Sequence, residues 1–320
     1  MNILFLLYDR TEANSFYRSG GIASDLALLT GHKITVERWN EYEVQWQTLL
    51  QYDVLFLQRP FTDKALGVLR YAKSLGLKVW VDFDDNLLNV SPENKNFIFY
   101  SKQDTKKTIM QILVEADAVS VTTLSLKQNF EYIRKDIWVI PNAFNDKIKR
   151  SVKKREKTVF WRGTDSHIFN LMSHGDQINS LIENNPDYRF LFMGYYPWFI
   201  HAKKEYTDPQ DILLYFEKIQ ELAPSVVHVP INSDPFNCCR SPIAFIEASF
   251  AGAITVCPHW WDVHGALKYK DAQEYHDNIQ SVLKGDVDVE KYSRMSWEYV
   301  EDCLMLSKVN QKRKLLLESL

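Results

Sequence analysis

The sequence predicts an α/β protein made of two doubly wound domains that face a central cleft. The chain has 320 residues, which is too long for one ordinary hydrophobic core and fits two domains of roughly 150 residues each. Short apolar segments alternate with helical patterns, which is typical of parallel strands that are buried on both faces. The alternation stops near residue 150 and then starts again. We therefore expect one domain over residues 1–150, a second over 151–290 and a helical segment over 291–320.

Each half of the chain supplies its own strands and helices. The strands expected in the first half are Ile3–Leu7, Ile34–Arg38, Val54–Leu57, Val79–Val81, Ala118–Val121 and Trp138–Ile140. Those expected in the second half are Val159–Trp161, Arg189–Met193, Val226–Val229 and Ile254–Cys257. The helices expected between them include Ile22–Leu29, Ile168–Glu183 and Pro242–Phe250. In such sheets ligands bind beyond the carboxyl ends of the strands, so the loops that leave those ends are the candidate functional segments.

The composition is that of a folded protein, with 46% hydrophobic and 25% charged residues. The net charge of −3 provides no overall basic field, so it does not by itself indicate a nucleic-acid partner. One stretch is strongly basic, with seven lysines and arginines against a single acid, Glu156. The seven are Lys147, Lys149, Arg150, Lys153, Lys154, Arg155 and Lys157. A solvated linker explains such a run, and a phosphate-bearing partner or an anionic membrane surface is the alternative.

The cysteines and the apolar runs bear on location. The chain has four cysteines, Cys238, Cys239, Cys257 and Cys303. Their spacing does not suit a metal site and fits a reducing cytoplasm. The apolar run that begins at Ile3 lacks a basic lead-in and stops at Asp9, unlike a signal peptide. No run approaches the roughly 18 apolar residues of a membrane span, so we expect a cytoplasmic protein without a transmembrane segment.

Two loops at strand ends in the first half carry candidate residues. The first ends in Gly20 and Gly21 directly before a helix. Such glycines let backbone amides approach an anion at the helix N-terminus, and a simple tight turn explains them equally well. The second loop contains Asp82, Asp84 and Asp85. These carboxylates could bind a divalent metal, transfer a proton or cap a turn, and their repulsion favours a proton on one of them.

In the second half, two segments carry the chemistry. After the strand that begins at Val159, Arg162 offers a fork to a phosphate and Gly163 permits close backbone approach, whereas His167 is more typical of a capping side chain than of a catalyst. Further on, Ser241 is expected as the N-cap of a helix that begins at Pro242.

Arg240 lies beside that helix N-terminus, which suits a diphosphate. Glu247 lies on the same, otherwise apolar helix and needs a partner, which is either a pair of vicinal sugar hydroxyls or a buried salt bridge.

Together these segments resemble the retaining GT-B glycosyltransferases of the glycosyltransferase group 1 (family 4) superfamily, in its bacterial and phage branch. The segments that carry the resemblance are Gly20-Gly21, Leu28–Val36, Trp80–Leu87, Ala116–Thr123, Val139–Asn142, Phe160–Gly163 with His167, and Asn237, Arg240, Ser241 and Glu247. Each is short, and the specificity lies in their order over most of the chain. The resemblance implies two Rossmann-like domains and transfer of a sugar from a UDP or GDP donor to an acceptor hydroxyl, with retention and without a metal or cofactor.

The resemblance also implies roles for single residues. Glu247 would hold the donor ribose, and Arg240 and Ser241 the diphosphate. The other donor-binding residues would be Gly20, Gly21, Arg162, Gly163, His167, Asn237 and, beside the nucleobase, Pro230 and Ile231. Asp84 and Asp85 would act in catalysis with Arg240, with positioning of the acceptor hydroxyl as their expected task.

Two departures from the family pattern affect the sugar end of the donor. Cys239 stands eight positions before Glu247, where the family has a glutamate that touches the transferred sugar. Asp84 and Asp85 stand near the place of a common histidine. Two kinds of acceptor stay open. One is a glycan or lipid-linked saccharide, reached from the cytoplasm or from the surface of the inner membrane. The other is a modified base of phage DNA, in the cytoplasm of the host cell. A catalytically silent nucleotide-sugar-binding protein and an epimerase are the rival interpretations.

Overall fold

The computed structural model describes residues 1–7, 12–38 and 46–320. Within these residues the strands form two parallel sheets of six strands each. The strands of the first sheet are β1 (Asn2–Leu7), β2 (Lys33–Arg38), β3 (Val54–Gln58), β4 (Lys78–Phe83), β5 (Ala118–Val121) and β6 (Ile137–Val139). Those of the second are β7 (Glu156–Arg162), β8 (Arg189–Met193), β9 (Glu205–Thr207), β10 (Pro224–His228), β11 (Ile254–Pro258) and β12 (Ala266–Tyr269). The predicted α/β architecture of two doubly wound halves is therefore confirmed.

The strand orders place a switch point in each sheet. The first sheet has the order β2-β1-β3-β4-β5-β6 and the second the order β12-β11-β10-β7-β8-β9. In the first sheet successive strands are added to one side up to β2 and to the other side from β3 onwards, so the switch point lies between β1 and β3. In the second sheet the switch point lies between β7 and β10. Crevices beyond the carboxyl ends of the strands at such points are the usual ligand sites of this architecture.

Helices cover both faces of each sheet. In the first half they are α1 (Glu12–Arg18), α2 (Gly20–Thr30), α3 (Asp63–Ser74), α4 (Phe97–Tyr100), α5 (Gln103–Glu115) and α6 (Leu124–Phe130). In the second half they are α7 (Ile168–Met172), α8 (Gly175–Asn184), α9 (Ile212–Leu222), α10 (Ile243–Ala251), α11 (Ala272–Lys284), α12 (Val289–Tyr299) and α13 (Leu306–Glu318). Apolar side chains leave β3 on both faces, since Val54 and Phe56 join one core cluster and Leu55 and Leu57 another.

The secondary structure differs from the sequence prediction in several places. The segment before Gly20, expected as a loop, contains α1, whereas the expected strand Ile3–Leu7 is present as β1. Tyr8 and Asp9, where the first apolar run ends, lie outside the described residues. The single helix expected from Ile168 is divided into α7 and α8, because the buried His174 ring bonds the backbone carbonyl of Asn170. The strands β9 and β12 and the helices α4 and α11 were also not predicted, although Asp271 caps the amide of Glu274 as expected for a helix start.

The C-terminal segment connects the two halves. Helix α12 packs on α10 of the second half, and a π-helical turn over Val300–Leu304 follows it. The backbone of Phe144 then bonds Leu304 and Leu306 on either side of the turn, and α13 packs on α2 of the first half. We propose to keep the division near residue 150, with the final helix as part of the first domain. In the described part of the chain, helices long and apolar enough to cross a membrane are absent.

Neighbouring leucines on α13 provide a test of this docking. Leu316 is 0% exposed and Leu315 is 55% exposed. We expect Leu316→Ala to lower the free energy of unfolding by about 2–5 kcal/mol, because it leaves a cavity in the core. Leu315→Ala should change it by less than about 0.5 kcal/mol. Urea unfolding followed by circular dichroism measures both, and equal effects would contradict the docking of α13.

Candidate functional site

The buried carboxylate of Glu247 lies where four elements meet. Its side chain projects from α10 and is 1% exposed. Arg162, at the carboxyl end of β7, donates from Nε at 3.1 Å and also from Nη2, so the pair is bidentate. The hydroxyls of Tyr17 on α1 and Tyr215 on α9 each donate at 3.0 Å. Of the two partners expected from the sequence, the structure shows the salt bridge.

This cluster joins the two domains. Tyr17 belongs to the first domain, whereas Glu247, Arg162 and Tyr215 belong to the second. The Arg162 guanidinium also stacks over the Tyr215 ring at 4.6 Å from its centroid. Burial raises the pKa of both tyrosines, and the neighbouring Glu247 carboxylate raises it further. Both hydroxyls therefore keep their protons and act as donors to Glu247.

Arg59 holds the two predicted catalytic carboxylates. It follows β3, at the switch point of the first sheet, and its guanidinium bonds Asp84 at 2.7 Å and Asp85 at 2.9 Å. Its φ of 48° is a conformation that a residue with a side chain adopts at a cost. Burial raises the pKa of Asp84, but Arg59 outweighs it and the net pKa is lowered. The pKa of Asp85 is raised by burial and by Asp84.

Arg240 faces these carboxylates from the second domain. Its Nη1 lies 3.1 Å from Nδ1 of His167, and its guanidinium stands 5.4 Å from the centroid of the Phe236 ring. Burial holds the pKa of His167 well below its usual value, and Arg240 and Arg162 lower it further. The imidazole is therefore neutral and accepts from Arg240 at Nδ1, which leaves its Nε2 as the protonated, donating nitrogen.

Asp82 is separate from this group. It is 1% exposed and forms a bidentate ion pair with Arg18, at 2.9 Å from Nε and 2.5 Å from Nη2. The hydroxyl of Ser120 donates to the same carboxylate. Of the three carboxylates identified in the sequence, Asp82 therefore forms an ion pair inside the first domain, whereas Asp84 and Asp85 pair with Arg59.

The segment from Pro235 to Ser241 is tied to the first domain. The Asn86 amide donates to the carbonyl of Pro235 and lies 3.5 Å from the Cys239 sulfur, while Thr123 donates to the Cys239 carbonyl at 2.9 Å. Cys239 is 0% exposed, and burial raises the pKa of its thiol to about 11. The position at which the resembled family has a glutamate is thus part of the contact between the domains.

Ser241 does not cap α10, which corrects the sequence prediction. The helix begins at Ile243 with Pro242 as N-cap residue, and no side chain caps it. The Ser241 hydroxyl instead accepts from the amide of Asn142 at 2.9 Å. The contact with the first domain therefore replaces the local cap that the sequence favoured.

Other predicted donor-binding residues are engaged within the second domain. Asn237 is 4% exposed and its amide bonds Asn170 and Asp234. Pro230 and Ile231 follow β10, and the amide of Ile231 donates to the hydroxyl of Tyr269 at 2.8 Å. The structure brings Pro230, Ile231, Arg162 and Gly163 to the switch point of the second sheet, and their roles toward a donor stay predictions.

Gly163 and Gly21 have packing roles, whereas Gly20 has none. A Cβ on Gly163 would lie 2.4 Å from the Trp161 ring, and one on Gly21 would lie 2.3 Å from the carbonyl oxygen of Phe16. A Cβ on Gly20 would meet nothing closer than 3.8 Å. Close packing of α2 against the backbone of α1 therefore accounts for Gly21, while Gly20 is exposed at the α2 N-terminus.

Two cavities of about 540 Å³ each border the cleft. The first is lined by Gly20 and Gly21 with the N-terminus of α9 at Asp211. The second lies between the Pro92–Ile98 region of the first domain and Phe169 of the second. Within the described ranges, groups of three or more His, Cys, Asp or Glu side chains that could hold a metal ion are absent.

Sequence reasoning missed Arg59, Tyr17 and Tyr215. Arg59 had a usable signal, because a basic residue directly after a buried strand lies at the same sheet edge as Asp84 and Asp85. The two tyrosines had none, since Tyr17 and Glu247 are 230 positions apart in the chain.

Two Rossmann-like domains around a cleft, with a C-terminal helix that returns to the first domain, define the GT-B fold. No family model and no curated protein matches the chain. A structure of Anabaena Alr3699/HepE in complex with UDP and glucose is similar over 100% of both chains, with a TM-score of 0.71 and 14% identity.

Two further solved structures are similar over nearly their whole length. An alpha-glucosyltransferase in complex with UDP and a 13-mer DNA with a central A:G mismatch covers 99% of this chain and 100% of its own, with a TM-score of 0.65 and 11% identity. UDP-GlcNAc 2-epimerase from Neisseria meningitidis, bound to UDP-GlcNAc, covers 100% and 99%, with a TM-score of 0.58 and 11% identity. At such low identities this likeness shows the fold alone.

The adjacent glycines separate a packing role from a ligand role. We expect Gly21→Ala to lower the free energy of unfolding by about 1–3 kcal/mol, because its Cβ would overlap the Phe16 backbone. Gly20→Ala is the matched control and should change it by less than about 0.5 kcal/mol. Thermal and urea unfolding measure both, and an undisturbed Gly21→Ala protein would show that the contact between α1 and α2 is looser than described.

Proposed function

We propose that the protein is a glycosyltransferase that moves a sugar from a nucleotide-diphosphate donor to an acceptor hydroxyl. The observation that carries the proposal is the environment of Arg240. Among the residues that the structure describes, Arg240 has no carboxylate within ion-pair distance, although it is partly buried. Burial lowers the pKa of its guanidinium. A desolvated cation next to a helix N-terminus at the cleft suits a diphosphate.

The surrounding residues support a division of roles. Arg240 and the positive end of α10 stabilise the departing diphosphate. The neutral His167 can donate its Nε2 proton in a hydrogen bond to an oxygen of the nucleotide sugar. Arg162 neutralises Glu247 at the nucleotide side of the site. Asp84 and Asp85 position the acceptor hydroxyl, since they reach the cleft from the first domain. The positive charge of Arg240 acts on the Asp85 carboxylate.

Donor type and stereochemistry are parts of the same proposal. Similar folds contain UDP and glucose in one case and UDP-GlcNAc in another, which supports UDP over GDP as the first donor to test. Retention of configuration and independence of metal follow from the family resemblance. We also propose a cytoplasmic location, for which the nucleotide donor is the reason.

Arg240→Ala tests the proposed diphosphate contact. We expect about 10- to 100-fold weaker binding of UDP or GDP by calorimetry, because a charge-assisted hydrogen bond contributes about 1.5–3 kcal/mol. Arg189→Ala is the control, since Arg189 pairs with Glu205 at the surface away from the cleft. Equal affinities of the Arg240→Ala and wild-type proteins would contradict the role of Arg240.

A panel of nucleotide sugars with glycan, lipid-linked and DNA acceptors tests the reaction. We expect transfer from one donor in excess chelator, because the charges at the site are supplied by Arg240, Arg162 and a helix N-terminus. Loss of all activity with chelator, restored by manganese, would contradict metal independence. Binding without turnover across the panel would favour the silent binding protein, and sugar inversion at C2 without an acceptor would favour an epimerase.

The acceptor we propose first is a glycan or lipid-linked saccharide, and DNA is the alternative, favoured by the DNA-bound similar fold. Four of the seven basic side chains of the Lys147–Lys157 run make contacts within the chain. They are Lys147 with Asp25, Arg150 with the Phe250 carbonyl, Arg155 with Glu290 and Lys157 with Asp187. Such contacts, one to α2 of the first domain and three to the second domain, are typical of a linker that packs on both domains.

The remaining exposed lysines test the DNA alternative. Lys149, Lys153 and Lys154 are exposed. If DNA is the acceptor, replacing all three with Gln should make the slope of log affinity against log salt less steep by about three, or about one for each phosphate contact that is lost. We expect no measurable change, in keeping with a saccharide acceptor. A reduced slope, measured by fluorescence anisotropy, would favour DNA.

A further inference from the structure

The hydrogen bonds of Glu247 have the pattern of a bound vicinal diol. The Tyr17 hydroxyl donates to Oε1 and the Tyr215 hydroxyl donates to Oε2, each at 3.0 Å. One hydroxyl on each carboxylate oxygen is also how two adjacent sugar hydroxyls bind a carboxylate. With the two donors of Arg162, four hydrogen bonds use the roughly four lone-pair positions of the group.

The tyrosine hydroxyls are the partners that can be exchanged. Glu247 is 1% exposed and sits among apolar residues of α10, so loss of Arg162 would leave a buried carboxylate without a counter-charge. The hydroxyls are neutral, and a diol can replace them one for one. Arg162 bonds both oxygens of the Glu247 carboxylate and its side chain is 30% exposed, so it can keep its ion pair during the exchange.

We propose that Tyr17 and Tyr215 occupy the ribose position of Glu247 in the nucleotide-free protein, and that a nucleotide binds by exchanging its 2′- and 3′-hydroxyls for theirs. The inference rests on the proposed function, to which we add the ribose role of Glu247 that the family resemblance implies. The two tyrosines compete with the nucleotide and reduce its affinity, since part of the binding free energy replaces hydrogen bonds that the free protein already has.

The exchange also couples nucleotide binding to the first domain. The Tyr17 ring is 1% exposed, and the next residue, Arg18, is held by Asp82. The Tyr17 hydroxyl therefore leaves Glu247 only when α1 shifts with it. Tyr215 lies on α9, in the same domain as Glu247, and its departure requires no movement between the domains. Tyr17 thus links the nucleotide to the arrangement of the domains, and Tyr215 adjusts affinity alone.

Tyrosine-to-phenylalanine variants test the competition. Calorimetry with the nucleotide diphosphate that wild type prefers, UDP or GDP, should show about ten-fold tighter binding for each hydroxyl removed, because a hydrogen bond to a charged group corresponds to about that factor. The variants are Tyr17→Phe, Tyr215→Phe and both together. The 2′-deoxy nucleotide, which lacks the diol, should gain less from each change.

Tyr275→Phe is the matched control. Tyr275 is 0% exposed in the second domain and its hydroxyl bonds His228 at 2.5 Å, so the change removes a buried hydrogen bond without touching Glu247. It should lower the unfolding midpoint as the other variants do, with nucleotide affinity unchanged.

The outcomes separate the inference from the proposed function. If wild type binds the nucleotide and the double variant binds it no tighter, the exchange is wrong and the function stands. Equal gains for the ribose and 2′-deoxy nucleotides would also overturn the exchange. Binding by the double variant alone would support it strongly. If neither wild type nor the double variant binds UDP or GDP, both the exchange and the proposed function fall.

Discussion

The ion pair between Glu247 and Arg162 is the contact on which the cleft depends. A carboxylate on a buried helix such as α10 is tolerated only with a counter-charge and with hydrogen bonds to its remaining lone pairs. Arg162 supplies the charge from the end of β7, and Tyr17 and Tyr215 supply the further hydrogen bonds from α1 and α9. One buried charge thereby fixes a strand end, two helices of the second domain and a helix of the first.

Hydrogen bonds between the domains also hold the segment that precedes α10. Three of its polar groups are satisfied from the first domain, because Asn86 bonds the Pro235 carbonyl, Thr123 the Cys239 carbonyl and Asn142 the Ser241 hydroxyl. This anchoring explains why Cys239 is buried at the domain contact and why Ser241 does not cap its helix. It also holds Arg240 opposite Asp84 and Asp85. The position of the cation therefore follows from contacts between domains and not from the local helix start.

Much of the fold could be predicted from the sequence, because the spacing of apolar residues along a strand or helix is a local property of the chain. Strands such as β3 are apolar on both faces, and that pattern alone indicates a covered parallel sheet. Helix α1, the break before α8 and the short strand β12 were missed, because they depend on tertiary partners. His174, for example, interrupts its helix through a buried ring contact with Tyr275 and a bond to Asn170.

The two-domain α/β fold and the strand ends that carry charged residues could be predicted from the sequence, because alternation and loop position are encoded residue by residue. It identified Glu247, Arg240 and the Asp84–Asp85 pair as chemically unusual. Their partners, including Arg59 and Tyr17, and the separate ion pair of Asp82 depend on how the chain folds. The physical reason is that a buried charge must be satisfied by whichever donors the fold brings near, and chain separation does not limit which donors those are.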